Sequence, residues 1–208
     1  MSEDHGRAAD ALSVGVLAPL GEMARGTTVW GIRRWDEEQT VWARRRSGLL
    51  ALTDAVFDAL RIRPYLETVV VGNLVTTAGW TRWSNLGTAQ GGTQGMTSTA
   101  TRIGAGNGAG TAAAGDTDLS AAAGSANRWF QVISATPTVS TNTITMSATF
   151  GTADGNFAWN EMGIDIGTPT VTSGATVNAL LWNHKTSIAQ GTKASGQTWT
   201  ATATITFT

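Results

Sequence analysis

Thr198-Trp199-Thr200-Ala201-Thr202-Ala203-Thr204-Ile205-Thr206-Phe207-Thr208 is the stretch that decides the fold. It alternates without a fault: Trp199, Ala201, Ala203, Ile205 and Phe207 fall on one side and threonine on the other. Successive strand side chains point to opposite faces, so a period of two turns the apolar groups against a core and the hydroxyls toward water or a neighbouring subunit. Branching at Cβ restricts the threonine χ1 and favours extended backbone. Such a strand needs partners. The sequence offers them at Glu67 to Val71, Thr99 to Ile103, Trp129 to Ser134, Thr143 to Phe150, Phe157 to Ile166 and Val177 to Asn183. Within Phe157 to Ile166, Phe157 and Trp159 run out of phase with Met162, Ile164 and Ile166, which a β-bulge near Asn160-Glu161 would reconcile. A short helix is expected over Leu74 to Leu86, carrying Trp80 and Trp83. Gly87 to Gly95 and Gly104 to Gly115 read as glycine-rich loops. Short strands separated by turn signals predict a mainly β protein, with an antiparallel β-sandwich of jelly-roll type over residues 72–208.

Composition narrows the function classes. Of 208 residues only 14% are charged and the net charge is −1, so no overall basic field recommends nucleic acid or an anionic membrane as a partner. Cysteine is absent, which removes disulfides, thiolate chemistry and cysteine-ligated metals together. No apolar run approaches the roughly 20 residues of a membrane helix, and Met1 to Asp10 is polar, unlike the core of a signal peptide. The expected site of synthesis is the cytoplasm.

Charge is unevenly placed: residues 1–70 hold 19 of the 29 charged side chains (14 Lys or Arg plus 15 Asp or Glu). Residues 1–71 therefore read as an N-terminal anchoring arm. In this reading Met1 to Ala11 is a tail and Leu12 to Met23 an irregular segment. A hairpin is expected to run from Val29 to Arg46 with its turn at Asp36 to Gln39. One helix is predicted over about 48–62, from the spacing of Leu49, Leu52, Val56 and Leu60, stopped by Pro64. Trp30, Trp35 and Trp42 interleave with Arg33, Arg34, Arg44, Arg45 and Arg46. Tryptophan and arginine anchor protein interfaces, whereas Asp36, Glu37 and Glu38 nearby repel a polyanion, so these eight residues are the candidate docking surface.

The remaining polar features are weak as chemistry. Gly104 to Gly110 has the spacing G-x-G-x-G-x-G with no following Lys-Ser or Lys-Thr, so it lacks the pattern of a phosphate-binding loop. Asp116-Thr117-Asp118 lacks the glycine and distal glutamate of a calcium loop and reads as a turn or as the cap of a short helix over Asp118 to Ala123. The two histidines, His5 and His184, do not make a triad or a zinc site by themselves. Glu161 and Asp165 lie four apart, as a hydrolase pair would need to be tested for. No catalytic residue, metal or cofactor is assigned.

Taken together, several stretches resemble those of small virion structural proteins of tailed bacteriophages, found as head-surface, tail or fibre components. They are Gly72-Asn73-Leu74-Val75-Thr76-Thr77-Ala78-Gly79, Arg102-Ile103-Gly104-Ala105-Gly106, Asp116-Thr117-Asp118-Leu119, Ala148-Thr149-Phe150 and Asn156-Phe157-Ala158-Trp159-Asn160-Glu161. Leu181-Trp182-Asn183-His184-Lys185, Gly191-Thr192-Lys193 and Trp199 to Phe207 complete the set. The resemblance implies a non-enzymatic β-sandwich on a phage particle, usually a trimer or another ring-forming unit. Its partners would be the major capsid protein or tail proteins of the same phage. The expectation is a capsid decoration protein, or else a minor tail or fibre component, in the virion. The alternative is a carbohydrate-binding module for host-surface adhesion. Trp80, Trp83, Trp182, His184 and Lys185 are then the candidate subunit or glycan contacts.

Overall fold

A computed structural model describes residues 26–90, 95–167, 174 and 180–208. The described residues fold into two antiparallel five-stranded sheets, packed as a β-sandwich, with three helices. In order the elements are β1 (Gly26–Trp35), α1 (Glu37–Ser47), α2 (Asp54–Ala59), β2 (Leu66–Val71), β3 (Leu74–Val75) and α3 (Thr77–Gly87). Then follow β4 (Thr101–Gly106), β5 (Arg128–Val132), β6 (Thr138–Ser140), β7 (Thr143–Phe150), β8 (Glu161–Ile166), β9 (Leu180–Thr186) and β10 (Thr198–Phe207). The first sheet has the order β2-β1-β10-β7-β6 and the second β3-β9-β8-β4-β5.

The terminal alternation does what its chemistry dictates. Trp199, Ala201, Ala203 and Ile205 are buried in the core between the sheets, beside Trp30 and Ile32 of β1, Met146 and Phe150 of β7, and Met162 and Ile164 of β8. Trp159 meets Phe150 and Trp199 edge-on at 4.6 and 5.0 Å between ring centroids. The threonines face outward, yet Thr198 and Thr200 are buried as well, because a helical cap covers that end of the sheet. Thr40 of α1 reaches Thr198 at 3.3 Å.

Residues 26–71 are thus no separate arm, and the boundary expected at 71 does not divide the described chain. β1 lies between β2 and β10 and is paired with β10 along its full length, from Gly26↔Phe207 to Trp35↔Thr198. The expected hairpin turn at Asp36 to Gln39 is a helix start instead. Asp36 accepts from the Gln39 amide at 2.8 Å and the Gln39 side chain accepts from the Asp36 amide at 3.1 Å, a reciprocal cap. Arg44, Arg45 and Arg46 then sit in the last turn of α1, where cations suit the helix dipole. Gly48, at φ 72°, ends the helix in the left-handed conformation that glycine adopts without strain. The single helix predicted over 48–62 is consequently only the six residues of α2. Trp35, Ala43, Leu52 and Phe57 form a small separate core under this cap, with the Trp35 and Phe57 rings stacked at 4.1 Å.

The expected phase break in Phe157 to Ile166 is real but differently built. Phe157 and Trp159 belong to an irregular segment held by the isolated bridge Ala158↔Thr192, and β8 begins only at Glu161. The register irregularity lies later, between Ile164 and Asp165, where the extra residue on β9 is Trp182. Trp182 and Asn183 consequently both turn inward: Trp182 is in the core, and Asn183 accepts from the Ile164 amide and donates to Thr28 of β1. No helix among the described residues is long and apolar enough to cross a membrane.

Candidate functional site

Two groupings of side chains stand out: a buried ionic cluster on the outer face of the second sheet, and an exposed apolar and cationic patch at the end of α1.

The cluster is built from β8, β9 and the long connection between β4 and β5. His184 of β9 lies between two carboxylates, with Nδ1 2.6 Å from Asp116 and Nε2 2.8 Å from Glu161. Both ring nitrogens face carboxylates, so the imidazolium, protonated on both, is the form that satisfies both contacts. Glu161 also accepts from the Ser120 amide at 2.9 Å, the Ser120 hydroxyl at 2.6 Å and the Ala121 amide at 2.7 Å. Burial pushes the Glu161 carboxyl up, but the His184, Ser120 and Ala121 hydrogen bonds outweigh it and hold it down at about 2. Burial likewise opposes the charge on His184, and the two carboxylates outweigh it, raising the imidazole above its ordinary value. For Asp116 burial is overcome by the Ala113 amide and His184, which hold it low.

The glycine run has its explanation here. It is not a surface loop from Gly104 onward, because Gly104 and Gly106 are buried residues of β4. A Cβ on Gly104 would come within 2.5 Å of the Phe130 ring, and one on Gly106 within 2.4 Å of Glu161 Oε1. At Gly108 it would meet Ser120 Oγ at 2.2 Å. Alternate residues of the strand are emptied of side chains so that the carboxylate and the 119–121 segment can lie directly on the backbone. Asp118 to Ala123 is not helical; Asp118 pairs with Arg128 at 2.6 Å and accepts from the Leu119 amide at 2.8 Å.

Glu161 and Asp165 share a face of β8 but not a site. Asp165 is buried against Arg102, and burial raises its carboxyl to about 7 against the pull of Arg102 and Arg82. Ser120 bonds to Glu161 and not to His184, and a doubly donating imidazolium has no lone pair with which to take a proton. The cluster as built fastens a loop to a sheet. His5 lies outside the described residues.

The expected docking surface divides in two. Trp30 and Trp35 are fully buried, and Arg34 is buried with its guanidinium 4.3 Å above the Trp199 ring, so these three face the interior. They read as interface anchors in sequence because a core that stacks tryptophan on arginine uses the same residues. Arg33 is held by Asp54, Asp58 and Glu67 at 3.4, 2.7 and 2.9 Å. Arg44 hydrogen-bonds Thr152 at 3.2 Å. Trp42, Arg45 and Arg46 remain exposed, and the structure adds Val41, Leu49 and Leu50 to them. Trp42, in the middle of α1, is 50% exposed, and Leu50, just past the Gly48 cap, is 86% exposed. A depression of about 340 Å³ opens beside Leu50, walled by Thr149, Thr152, Ala153 and Asp154. The spacing of Leu49 assigns it to a buried helical stripe, whereas the structure leaves both Leu49 and Leu50 exposed.

The candidate subunit or glycan contacts also separate. Trp182 and His184 are buried, the first through the β9 irregularity and the second between its carboxylates. Trp83 stacks on Phe207 at 4.9 Å between centroids, half-buried at the foot of the sandwich. Trp80 on α3 is exposed, and Lys185 is half-exposed beside Gly72. No family model matches the chain, and no curated protein or solved structure matches it either.

Proposed function

We propose that the protein is a non-enzymatic structural component on the exterior of a tailed-bacteriophage virion, a capsid decoration protein that docks through the surface around Trp42. The observation that carries this reading is the exposed set Trp42, Arg45, Arg46, Leu49 and Leu50, presented on a rigid helical cap. Large apolar side chains rimmed by arginine on a fixed backbone are what an interface hot spot requires, since little entropy is lost when they are covered. The resemblance of residues 72–208 to phage structural proteins supplies the class of partner: the major capsid protein, or tail proteins in a minor tail or fibre role. Many copies on one particle would make weak single contacts sufficient.

The test is rebinding. Wild-type protein and a Trp42→Ala, Arg45→Glu, Leu50→Ser variant are added to particles lacking the protein and imaged. Wild type on the shell with no binding by the variant supports docking through the patch. Wild type on the tail moves the protein to the tail role, and equal binding by the variant removes the patch from it. The glycan-binding alternative now rests on Trp80, Trp83 and Lys185, the exposed or half-exposed members of its contact set.

A further inference from the structure

The first sheet ends on β2, and this edge is unlike the others. β3 has two residues and β6 three, and β5 is bridged on its free side by Gly174. β2 has six, Leu66-Glu67-Thr68-Val69-Val70-Val71, and among the described residues it pairs only with β1. Gly72 donates its amide to the Thr28 carbonyl at 2.8 Å, which fixes the phase of the ladder. Antiparallel strands bond at alternate residues, so Leu66, Thr68 and Val70 face β1, while the amides and carbonyls of Glu67, Val69 and Val71 point away from the sheet. Natural edges are blunted by proline, lysine, inward charge or a bulge. β2 carries none of these. Its one charge, Glu67, is already paired with Arg33, and Val69 and Val71 are 69% and 61% exposed.

We infer that β2 is a self-association edge, pairing antiparallel with β2 of a second copy about a twofold axis at Val69. The facing residues are then Val69 with Val69, and Glu67 with Val71 in both directions. Three outward-facing residues per chain exchange about six backbone hydrogen bonds in this register. The occupant is a second copy because the strand is complementary to itself. Valines lie on one face at the centre, and the antiparallel twofold carries the two Glu67 side chains to opposite ends. They stand four strand positions apart, roughly 13 Å, beyond the screening distance of salt. The two five-stranded sheets become one, and the building unit is a dimer in place of the trimer that the resemblance implies. The inference stands apart from the docking reading, since β2 and the Trp42 patch share no residue.

Light scattering and sedimentation equilibrium on the full chain test it. Wild type should have twice the chain mass. Val69→Pro removes one outward amide and no bond to β1, and proline is tolerated where a strand amide faces solvent. It should be monomeric with an unchanged circular dichroism spectrum. Val69→Lys, which sets two like charges face to face, keeps the question open to measurement if the proline variant fails to fold. The chain has no native cysteine. A single Val69→Cys should therefore form an intermolecular disulfide on oxidation, because directly paired Cα atoms lie within disulfide reach. A wild-type monomer at millimolar concentration overturns the inference, as does a dimer that survives both Val69→Pro and Val69→Lys. A dimer dissolved by Trp42→Ala and Leu50→Ser but not at Val69 assigns association to the patch and also overturns it.

Discussion

Replacing Glu161 by glutamine is the sharpest probe of the buried cluster. The amide keeps the shape of the carboxylate but sets a donor where Ser120 and His184 already donate, and it removes the anion that the imidazolium faces. The carboxyl is held at about 2 in place of its ordinary 4.5. That difference corresponds to about 3 kcal/mol at 1.36 kcal/mol per pH unit. The elevation of His184 is the other side of the same interaction and is not added to it. In a domain of this size the loss should lower the melting temperature by about 6 to 12 °C. Because the folded-state value of Glu161 is depressed, its contribution is present above about pH 4.5 and disappears as pH falls toward about 2. Because that of His184 is raised, the contribution is complete below about pH 6.5 and fades as pH rises through the raised value. The difference in urea-unfolding free energy between wild type and Glu161→Gln should therefore be largest between about pH 4.5 and 6.5 and shrink on both sides. A difference under about 1 kcal/mol at about pH 5.5, or one that does not change with pH, would refute the assignment.

Gly106→Ala should cost about 1 to 3 kcal/mol by overpacking against Glu161 Oε1, and less in a Glu161→Ala background, where that carboxylate is gone; a double-mutant unfolding cycle reads the coupling. Lys193 is buried with its ammonium bonded to the Gly151 carbonyl and Asn156 Oδ1, both at 2.7 Å, and burial lowers it to about 8 from 10.5. The unfolded chain binds its proton more tightly, so wild type should gain stability as pH rises from about 8 to 10.5 relative to Lys193→Met, by up to about 3 kcal/mol in urea titrations. Phe57→Ala should cost about 3 to 5 kcal/mol by opening the small core under the helical cap, followed as loss of thermal stability. Trp42→Ala with Leu50→Ser should shift unfolding free energy by no more than about 0.5 kcal/mol per site while abolishing particle rebinding.

Strands whose two faces differ in polarity were legible from their residues alone. β7 and β10 bury their apolar face and hydroxylate the other, and period-two alternation states that directly. β1 was legible only as the first arm of a hairpin and not as a central strand of the sheet, because neither of its faces is polar in the usual sense. Trp30 and Ile32 enter the main core, Trp35 lies under the helical cap, and Arg34 is buried by stacking on Trp199, a partner 165 positions away in the chain (199 minus 34). Only the first half of β4 was legible, as the strand expected to end at Ile103: a segment with glycines at 104 and 106 has little intrinsic β preference, and its conformation is imposed by Phe130 and Glu161 lying against it. Asp116, Glu161 and His184 come together only when β8 pairs with β9 and the long connection folds over both, so no spacing in the sequence announces the cluster. The signal available was Glu161 itself, a carboxylate set between Phe157-Ala158-Trp159 and Met162-Gly163-Ile164.

The pairing of β1 with β10 also sets a clock. Trp35 meets Thr198 and Gly26 meets Phe207, so the central seam of the first sheet joins segments more than 160 residues apart. At roughly 5 to 20 residues per second, a nascent chain carries β1 without its main neighbour for about 8 to 36 s. The seam therefore closes late, after the second sheet has had the time to form. Dominated by such distant pairings, folding belongs to the slow, milliseconds-to-seconds regime of β proteins. During that interval the exposed flank of β1 is open to improper strand partners, and chaperone protection of the nascent chain would act on that strand first.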